Sequence, residues 1–358
     1  MLVFNLPTST AISTHHTTIH PTTIERNMKQ ISDMQVDNLI RLRKNLGSKP
    51  LDRSDPYKLG LVIEGGGMRG VVGGGMVSAL EIMGLRDTFD VVYGASAGAI
   101  CGAYFIAAQA VLGTTIYYQD INNSKFLSMP RFFLSPPMMS LSFLLDNISE
   151  TIKCLDWQSV LHSPIPLVAV ASDINALAPV SLRHFKDKQE LKLSLKASAC
   201  IPIVAGEPIV ISGRRLWDAL ITDPIPYAAA IEDGCTHVLV LSTRPRFTAN
   251  REKTLLDTYL FRKLMAKRST NRLFSEYFSE RLDRYRAQLS FLQNAASKSD
   301  TTPSIGLIDL PESHSPIKST EKRREVLYQG AISGAQAVFR WFDQPCPRMV
   351  EVIGFYSR

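Results

Sequence analysis

Two glycine-rich segments, each directly after an apolar run, carry the residue types that acyl-transfer chemistry needs. The first is GGGMRG at residues 65–70, and the second is GASAG at residues 94–98 with Ser96 at its centre. A serine in GxSxG between a strand and a helix is typical of a nucleophile elbow, where a sharp turn exposes the hydroxyl. Consecutive glycines after a strand can present several backbone N–H groups to an oxyanion. Together the segments indicate a serine nucleophile with an oxyanion-binding loop upstream.

The first segment also satisfies GxGxxG, the fingerprint of dinucleotide-binding proteins. That fingerprint requires an acidic residue at the end of the following strand. Here Asp87 and Asp90 precede the strand, and Tyr93 and Gly94 end it. Nucleotide binding through residues 65–70 is therefore an alternative interpretation that rests on an incomplete motif.

A serine nucleophile needs a general base, and the chain offers no convincing histidine for this role. His237 opens a predicted strand at the end remote from the ligand-binding edge of a parallel sheet, and His314 lies in a polar loop. Asp218 follows an apolar stretch that ends in Trp217. Desolvation in such surroundings raises the basicity of a carboxylate, which makes Asp218 the candidate base. The alternative role for Asp218 is to cap the turn that follows it.

The elements that must position these residues alternate along the chain. Apolar strands are predicted at 58–64, 89–93, 166–172 and 237–242, and helices at 31–45, 76–83 and 97–112. Strands that are apolar throughout belong to parallel sheets covered on both faces. The sequence therefore predicts an α/β protein with three α/β/α layers and a mainly parallel central sheet. Residues 117–148, rich in Phe, Met, Leu and Pro, are predicted to form a cap over the sheet.

Composition agrees with an ordinary globular protein. The chain has 358 residues, of which 45% are hydrophobic and 20% charged, which excludes a wholly disordered, collagenous or coiled-coil protein. Five widely spaced cysteines form no CxxC pair, which favours buried thiols in a reducing compartment over disulfides or a metal centre.

Targeting and membrane signals are weak. The polar N-terminal residues do not fit a secretory signal, and the C-terminus carries no lipidation box. The uncharged run at 91–112 is long enough to span a membrane, but Gly, Ser and Gln interrupt it, so a buried strand–turn–helix is expected instead. We therefore expect a cytoplasmic protein.

The formal charge of +7 is concentrated late in the chain. Residues 251–300 hold 11 Lys and Arg against 6 Asp and Glu, a net charge of +5. Apolar residues at three-to-five spacing predict amphipathic helices there: Leu256, Leu260, Leu264, Leu273, Tyr277, Leu282, Tyr285, Leu289 and Leu292. These helices either pack on the core with a solvated face or form a cationic surface for peripheral contact with anionic membrane lipid. No nucleic-acid recognition motif is present, so no nucleic-acid partner is expected.

Taken in order, the motifs resemble those of the patatin-like phospholipases. The resemblance rests on residues 65–70, on residues 94–98 and on Asp218-Ala219. KASACIP at 196–202 is similar to the family's Ala-Ser-x-x-x-Pro segment, and DPIP at 223–226 is similar to its Asn/Asp-Pro-x-Pro stretch. The similarity covers residues 58–242, and the rest looks like bacterial-type members with a helical C-terminal extension.

The resemblance implies a serine hydrolase that cleaves carboxylic esters of phospholipids or related acyl lipids. Its base would be an aspartate rather than a histidine, in a dyad of Ser96 and Asp218. No metal and no organic cofactor would be needed. The oxyanion would be held by backbone N–H groups of Gly65, Gly66, Gly67 and Met68, with Arg69 as the anchor of the loop.

One departure from the family pattern concerns the residue after Asp218. The family usually has glycine there, and this chain has Ala219. If the position needs a positive φ, alanine costs about 1 kcal/mol and shifts the carboxylate. A catalytically weak lipid-binding module is therefore a further alternative.

Three segments are expected. Residues 1–50 would form a polar tail with a short helix, and residues 51–250 the catalytic domain. Residues 251–358 would form a helical segment packed on that domain.

Overall fold

Eight strands form one mixed sheet in the computed structural model, which describes residues 34–128, 130, 137–202, 204–246, 274–298 and 302–348. The four predicted strands are confirmed as β1, β2, β3 and β7. The strand bounds are β1 Leu59–Ile63, β2 Val91–Ala95, β3 Leu167–Asp173, β4 Ala178–Leu182, β5 Ile209–Ile211, β6 Arg214–Asp218, β7 His237–Pro245 and β8 Ser304–Leu310.

The strand order is β5-β6-β3-β2-β1-β7-β8, with β4 paired to β3. The strands β3, β2, β1, β7 and β8 are parallel to their neighbours in this order. Three pairs are antiparallel, namely β3 with β4, β3 with β6, and β5 with β6. The centre of the sheet is therefore parallel, as predicted, and one end carries an antiparallel extension.

Helices connect these strands and cover the sheet. In the part of the chain that is described they are α1 Val36–Asn45, α2 Gly70–Ile82, α3 Ala97–Ile106, α4 Ala110–Gln119, α5 Trp157–Leu161, α6 Lys188–Ala199, α7 Tyr227–Glu232, α8 Phe274–Ser279, α9 Arg281–Ala296 and α10 Arg324–Trp341. A π-helical segment spans Phe143–Ile152, inside the predicted cap.

Both faces of the sheet are buried, because alternate side chains of each strand point to opposite sides. Val62, Tyr93 and Val240 pack in one cluster with Tyr285 and Leu289 of α9. On the other face, Ile63 lies against α2 and α3. The three-layer α/β/α prediction is confirmed.

Three helices differ from their predicted bounds, and the first of them, predicted at 31–45, begins at Val36. The helix predicted at 97–112 is divided into α3 and α4, and Ala108 between them has a φ of +56°. The helix predicted from Met76 begins at Gly70, because packing outweighs the low helix propensity of its glycines. A Cβ on Gly75 would lie 2.0 Å from the Ala331 carbonyl oxygen, so this glycine lets α10 pack closely on α2.

The C-terminal part contains a strand that the sequence analysis did not predict. The strand β8 pairs in parallel with β7, so residues after 250 extend the central sheet as well as packing helices on it. Described residues from Gln35 onward belong to one compact unit. The predictions for the tail before residue 34 and for the helix containing Leu256, Leu260 and Leu264 lie outside the described residues. No described helix combines the length and the apolar character needed to cross a membrane.

Candidate active site

Two strands meet end to end beside β3, and this junction brings the candidate nucleophile and base together. The parallel pairing of β2 with β3 ends at Ala95 and Val170. The antiparallel pairing of β6 with β3 begins one residue further along β3, at Ala171 and Asp218. The carboxyl ends of β2 and β6 therefore face each other, which places Ser96 next to Asp218.

The two side chains are directly hydrogen bonded. Ser96 Oγ donates to Asp218 Oδ2 at 2.7 Å, and the Leu220 backbone N–H donates to Asp218 Oδ1 at 2.8 Å. Asp218 is fully buried, and this burial raises its pKa to about 7 although both hydrogen bonds oppose the shift. A carboxyl group with this pKa can exchange a proton with the serine near neutral pH.

Ser96 occupies a strained turn between β2 and α3. Its φ of 55° and ψ of −123° are unusual for a residue with a side chain, as expected for a nucleophile elbow. The flanking glycines permit this turn. A Cβ on Gly94 would lie 2.3 Å from Ala99 Cα, and one on Gly98 would lie 2.3 Å from the Ile63 carbonyl oxygen.

Ser198 supports the elbow, a role that the sequence analysis did not assign. Its Oγ accepts a hydrogen bond from the Ser96 backbone N–H at 2.8 Å and donates one to the Val170 carbonyl at 2.6 Å. The only sequence signal for this residue was the similarity of residues 196–202 to the family's Ala-Ser-x-x-x-Pro segment.

The four amides predicted to hold an oxyanion differ in their partners. The N–H of Gly65 donates to the Pro224 carbonyl at 3.4 Å, and that of Met68 donates to the Ser319 carbonyl at 3.0 Å. Among the described residues, the N–H groups of Gly66 and Gly67 have no such acceptor. These two amides are the ones available to a bound group beside Ser96.

Arg69 lies against the glycine loop. Its guanidinium packs where a Cβ on Gly66 would be, and its Nε donates to Thr243 Oγ1 at 3.3 Å. Thr243 Oγ1 in turn donates to the Gly65 carbonyl at 3.2 Å. Burial, and then the nearby charge of Arg244, lower the pKa of Arg69 to about 10.

Two cavities meet at Ser96. The larger has a volume of about 330 Å³, and the smaller, of about 30 Å³, has no charged residue in the described part of its lining. Both are lined by Gly67, Ser96, Met139 and Ile201. The apolar pocket is further lined by Ile100, Ile121, Phe126, Leu141 and Leu144. Part of the predicted cap, around Met139 to Leu144, thus encloses the apolar pocket; residues 129 and 131–136 lie outside the description.

The two histidines considered as bases lie elsewhere. His237 is buried at the start of β7, where its ring contacts Tyr57 and its Nδ1 lies 2.9 Å from Thr236 Oγ1. His314 lies in the loop after β8. Neither appears among the described residues that line the two cavities. No described group of three or more His, Cys, Asp and Glu side chains is arranged to hold a metal ion.

Ala219 does not occupy a position that requires glycine. It begins the 3-10 turn Ala219–Ile221, and it is not one of the described non-glycine residues with positive φ. The replacement of glycine by alanine therefore introduces no left-handed backbone strain after Asp218.

The described part of the cationic segment directs two arginines inward. Residues 274–298 hold four Lys and Arg against three Asp and Glu, so most of the positive surplus of residues 251–300 lies outside the description. Arg281 lines the larger cavity. Arg284 donates to the Ile221 carbonyl at 3.0 Å in the turn after Asp218. The inward faces of α8 and α9 thus contribute to the site.

Residues 61–231 match the model of the family described as patatin-like phospholipase. The chain thus contains a patatin-like phospholipase domain, and the resemblance inferred from the motifs is confirmed. A relative in Escherichia coli strain K12, the uncharacterized protein YjjU, is 26% identical over 205 residues. This match covers 56% of the present chain and only 56% of that relative's length.

Two solved structures are also similar. VipD from Legionella pneumophila is 12% identical, with 83% of this chain and 73% of that chain covered and a TM-score of 0.36. Human GIVD cytosolic phospholipase A2, in complex with methyl gamma-linolenyl fluorophosphonate and terbium chloride, is 13% identical. There the coverage is 89% of this chain and 64% of that chain, with a TM-score of 0.37.

Proposed function

We propose that this protein is a serine lipid acyl hydrolase that cleaves carboxylic esters of phospholipids or related acyl lipids. The observation that carries the proposal is the 2.7 Å hydrogen bond from Ser96 Oγ to Asp218 Oδ2, made where an apolar pocket meets a larger cavity. A nucleophile placed between these two spaces suits an ester with an apolar acyl group on one side and a bulkier polar group on the other.

In the acylation step, Ser96 Oγ attacks the ester carbonyl carbon while its proton passes to Asp218 Oδ2. The negative charge that develops on the carbonyl oxygen is stabilised by the N–H groups of Gly66 and Gly67. When the tetrahedral intermediate collapses, the bond to the alcohol breaks. The leaving alkoxide takes the proton from Asp218, and the acyl group stays on Ser96.

Deacylation repeats the sequence with water. Asp218 accepts a proton from the water, whose oxygen attacks the acyl carbon, and the carboxylic acid leaves as Ser96 regains its proton. We assign Gly65, Met68 and Arg69 to holding the loop rather than to the oxyanion, because the amides of Gly65 and Met68 already donate to Pro224 and Ser319. No cofactor takes part in this scheme.

The proposal is tested by labelling with an alkyl fluorophosphonate, followed by mass spectrometry to locate the adduct. We expect a single adduct on Ser96, no adduct in Ser96→Ala, and loss of ester hydrolysis in both Ser96→Ala and Asp218→Asn. The asparagine carbonyl oxygen can still accept from the Leu220 N–H, but its amide group can only donate to Ser96 Oγ and cannot accept the proton. Hydrolysis at the normal rate by folded Ser96→Ala protein would overturn the proposal.

Two binding measurements, made beside the labelling, separate the alternatives. A lipid-binding module would bind liposomes without labelling, and a nucleotide-binding protein would melt at a higher temperature with NAD or ATP. The absence of strain at Ala219 weighs against the first. Asp90 is held by Arg43 and Arg53 at the start of β2, away from the glycine loop, which weighs against the second. Peripheral contact with anionic membrane stays a prediction, for which binding to anionic and zwitterionic liposomes is the measurement.

A further inference from the structure

The end of β7 runs alongside the glycine loop. The parallel pairing of β1 with β7 ends at Ile63 and Leu241, whereas β7 continues to Pro245. Over the same stretch the register of β7 against β8 shifts, and an irregularity of this kind redirects the side chains next to it. Thr243 lies in this stretch and is buried. It is therefore placed beside the loop that follows β1.

Thr243 is bonded to residues along the whole loop. Its backbone N–H donates to Glu64 Oε2 at 2.6 Å, and Glu64 is the residue directly before the glycines. Its Oγ1 donates to the Gly65 carbonyl at 3.2 Å and accepts from Arg69 Nε at 3.3 Å. One threonine from a distant strand thus contacts the first glycine of the loop and the arginine near its other end.

The direction of the two hydroxyl hydrogen bonds follows from the types of atom involved. The Nε–H of an arginine can only donate and a carbonyl oxygen can only accept, while a hydroxyl can do both. The Thr243 hydroxyl therefore accepts from Arg69 and has its single proton left for the Gly65 carbonyl. Because the donor to the hydroxyl is a cation, it polarises the hydroxyl and strengthens the bond to the carbonyl.

This bond controls one of the amides assigned to the oxyanion. The Gly65 carbonyl and the Gly66 N–H belong to the same peptide unit, which is planar and trans, so the two groups point in opposite directions. Glycine restricts its own backbone less than any other residue, so this plane could otherwise rotate at little cost. By holding the carbonyl, the Thr243 hydroxyl fixes the direction of the Gly66 N–H.

The second of these amides is fixed in the same way but by a local contact. The Gly66 carbonyl accepts the Arg69 backbone N–H at 3.1 Å, and it shares its peptide unit with the Gly67 N–H. This restraint lies within the 3-10 turn Gly67–Arg69 and the residue before it. For the Gly66 amide, in contrast, the restraint is a side chain from β7.

We propose that Thr243 is a positioning residue for ester hydrolysis, because its hydroxyl holds the Gly66 N–H in the direction of the substrate's carbonyl oxygen. The inference rests on the proposed function and adds a residue to it. Thr243 is not among the described residues that line the two cavities, so it acts through the Gly65–Gly66 peptide and not on the substrate. It also lies outside residues 61–231, which match the family model.

The test removes the hydroxyl and then restores it. Thr243→Val keeps the shape of the side chain without the hydroxyl, and Thr243→Ser keeps the hydroxyl without the methyl group. For a soluble ester we expect kcat of Thr243→Val to fall about tenfold to a hundredfold with little change in KM, because the oxyanion exists only after attack. Thr243→Ser should stay within about threefold of the natural kcat. If the valine variant fails to fold, Thr243→Ala against Thr243→Ser gives the same comparison, since these two differ only by the hydroxyl oxygen.

A second measurement separates an oriented amide from general loss of structure. An alkyl trifluoromethyl ketone accepts Ser96 Oγ at its carbonyl carbon, the carbonyl electron pair moves to the oxygen, and the serine proton passes to Asp218. The inhibition constant of this ketone should rise in Thr243→Val by about the same factor as kcat falls. The corresponding secondary alcohol forms no oxyanion, so its inhibition constant should be the same in both proteins.

Thr114→Val is the matched control. Thr114 is a buried threonine of α4 whose hydroxyl donates to the Ala110 carbonyl at 2.8 Å and lies 2.9 Å from Ser78 Oγ. It is not among the described residues that line the two cavities. This variant should lose stability comparable to that lost by Thr243→Val and should keep both kcat and the inhibition constant of the ketone.

The outcomes separate this inference from the proposed function. Absence of fluorophosphonate labelling at Ser96 in the natural protein would contradict the hydrolase itself. Labelling together with an unchanged kcat in Thr243→Val would overturn only the role of Thr243. Equal losses in the valine and serine variants, or equal weakening of ketone and alcohol, would likewise reduce Thr243 to a packing residue.

Discussion

The hydroxyl of Ser198 accepts a hydrogen bond from the backbone N–H of Ser96, a residue 102 positions away in the chain. The same hydroxyl donates to the carbonyl of Val170 in β3. Ser198 is fully buried near the end of α6, so it bridges the strained elbow to the strand beside which Ser96 and Asp218 meet. The position of the nucleophile is therefore set by a side chain from a helix far away in sequence.

Replacement of this hydroxyl tests its role in positioning. Ser198→Ala leaves the buried N–H of Ser96 and the carbonyl of Val170 without this partner, which should lower the free energy of unfolding by about 1–3 kcal/mol. Because the elbow is then free to relax, kcat for a soluble ester should fall about tenfold or more while KM changes little. Urea unfolding and steady-state kinetics give the two numbers.

The matched control for that variant is Ser78→Ala. Ser78 is a fully buried serine whose hydroxyl bonds to the Gly74 carbonyl and to Thr114, within the layer of α2 and α4. It should lose comparable stability and retain kcat. Equal kcat in the natural protein and in Ser198→Ala would show that Ser198 contributes to stability only and does not position Ser96.

The raised pKa of Asp218 predicts how activity depends on pH. The carboxylate must be ionised to accept the proton of Ser96, and burial raises its pKa to about 7. The rate of labelling by a fluorophosphonate should therefore increase as pH rises through about 7 and level off above it. A rate that is already maximal at pH 5 would show that Asp218 is not the titrating base.

The same pKa predicts how stability depends on pH. The folded protein keeps the proton of Asp218 up to about pH 7, whereas an ordinary aspartate releases it near 3.8. Because of Asp218, the free energy of unfolding of the natural protein should therefore decrease as pH rises from about 3.8 to about 7. Above pH 7 this contribution should stay constant.

Asp218→Asn has no such charge. It should match the natural protein near pH 4 and exceed its unfolding free energy by on the order of 2–4 kcal/mol at pH 8. Urea unfolding at both pH values measures this difference. A constant difference across that range would argue against the raised pKa.

The features predicted from sequence are those that neighbouring residues determine. The elbow around Ser96, the glycine loop and the buried strands each depend on a short run of residues. The contacts that the sequence did not reveal join distant segments: Ser198 to Ser96, and Arg281 to the cavity. The strand β8 was missed because Ser304–Leu310 follows a long stretch interpreted as helical, and only its pairing with β7 defines it.

The glycine that follows Ser96 by two residues is expected to be irreplaceable. A Cβ on Gly98 would lie 2.3 Å from the Ile63 carbonyl oxygen and 2.9 Å from that of Glu64, so the backbone of β1 would have to move. Gly98→Ala should lose about 3 kcal/mol or more of stability and also lose labelling at Ser96. Thermal unfolding and fluorophosphonate labelling measure these two effects.

Gly73→Ala is the corresponding control in a neighbouring helix. There the new methyl group would make ordinary contacts of 3.5 Å with Ile63 and Thr243. Since alanine favours a helix over glycine by about 0.8–1.0 kcal/mol, this variant should be at least as stable as the natural protein. Comparable melting temperatures for the two variants would contradict the close packing inferred at Gly98.

The turn that follows Asp218 is attached to α9 by a second buried acid. Gln288 Nε2 donates to Asp223 Oδ1 at 2.6 Å. Burial raises the pKa of Asp223 to about 7, with a small further increase from Glu232, while the hydrogen bond from Gln288 lowers it. Gln288→Ala removes the group that stabilises the ionised carboxylate, so the pKa of Asp223 should rise further.

The expected effect of this substitution depends on pH. Below about 7 the folded natural protein and the variant both keep the proton on Asp223, so the variant loses only a neutral hydrogen bond, about 1 kcal/mol. Above pH 7 the variant must either bury the Asp223 carboxylate without its hydrogen bond or retain a proton that the natural protein releases. The difference in unfolding free energy between the natural protein and the variant should therefore grow with pH. Because α9 then holds the turn after Asp218 less firmly, kcat should fall most at the alkaline end.

Ser290→Ala, an exposed position on the same helix, should stay within about 0.5 kcal/mol of the natural protein at every pH. A deficit for Gln288→Ala that is equal at pH 6 and pH 9 would show that Asp223 does not ionise in this range.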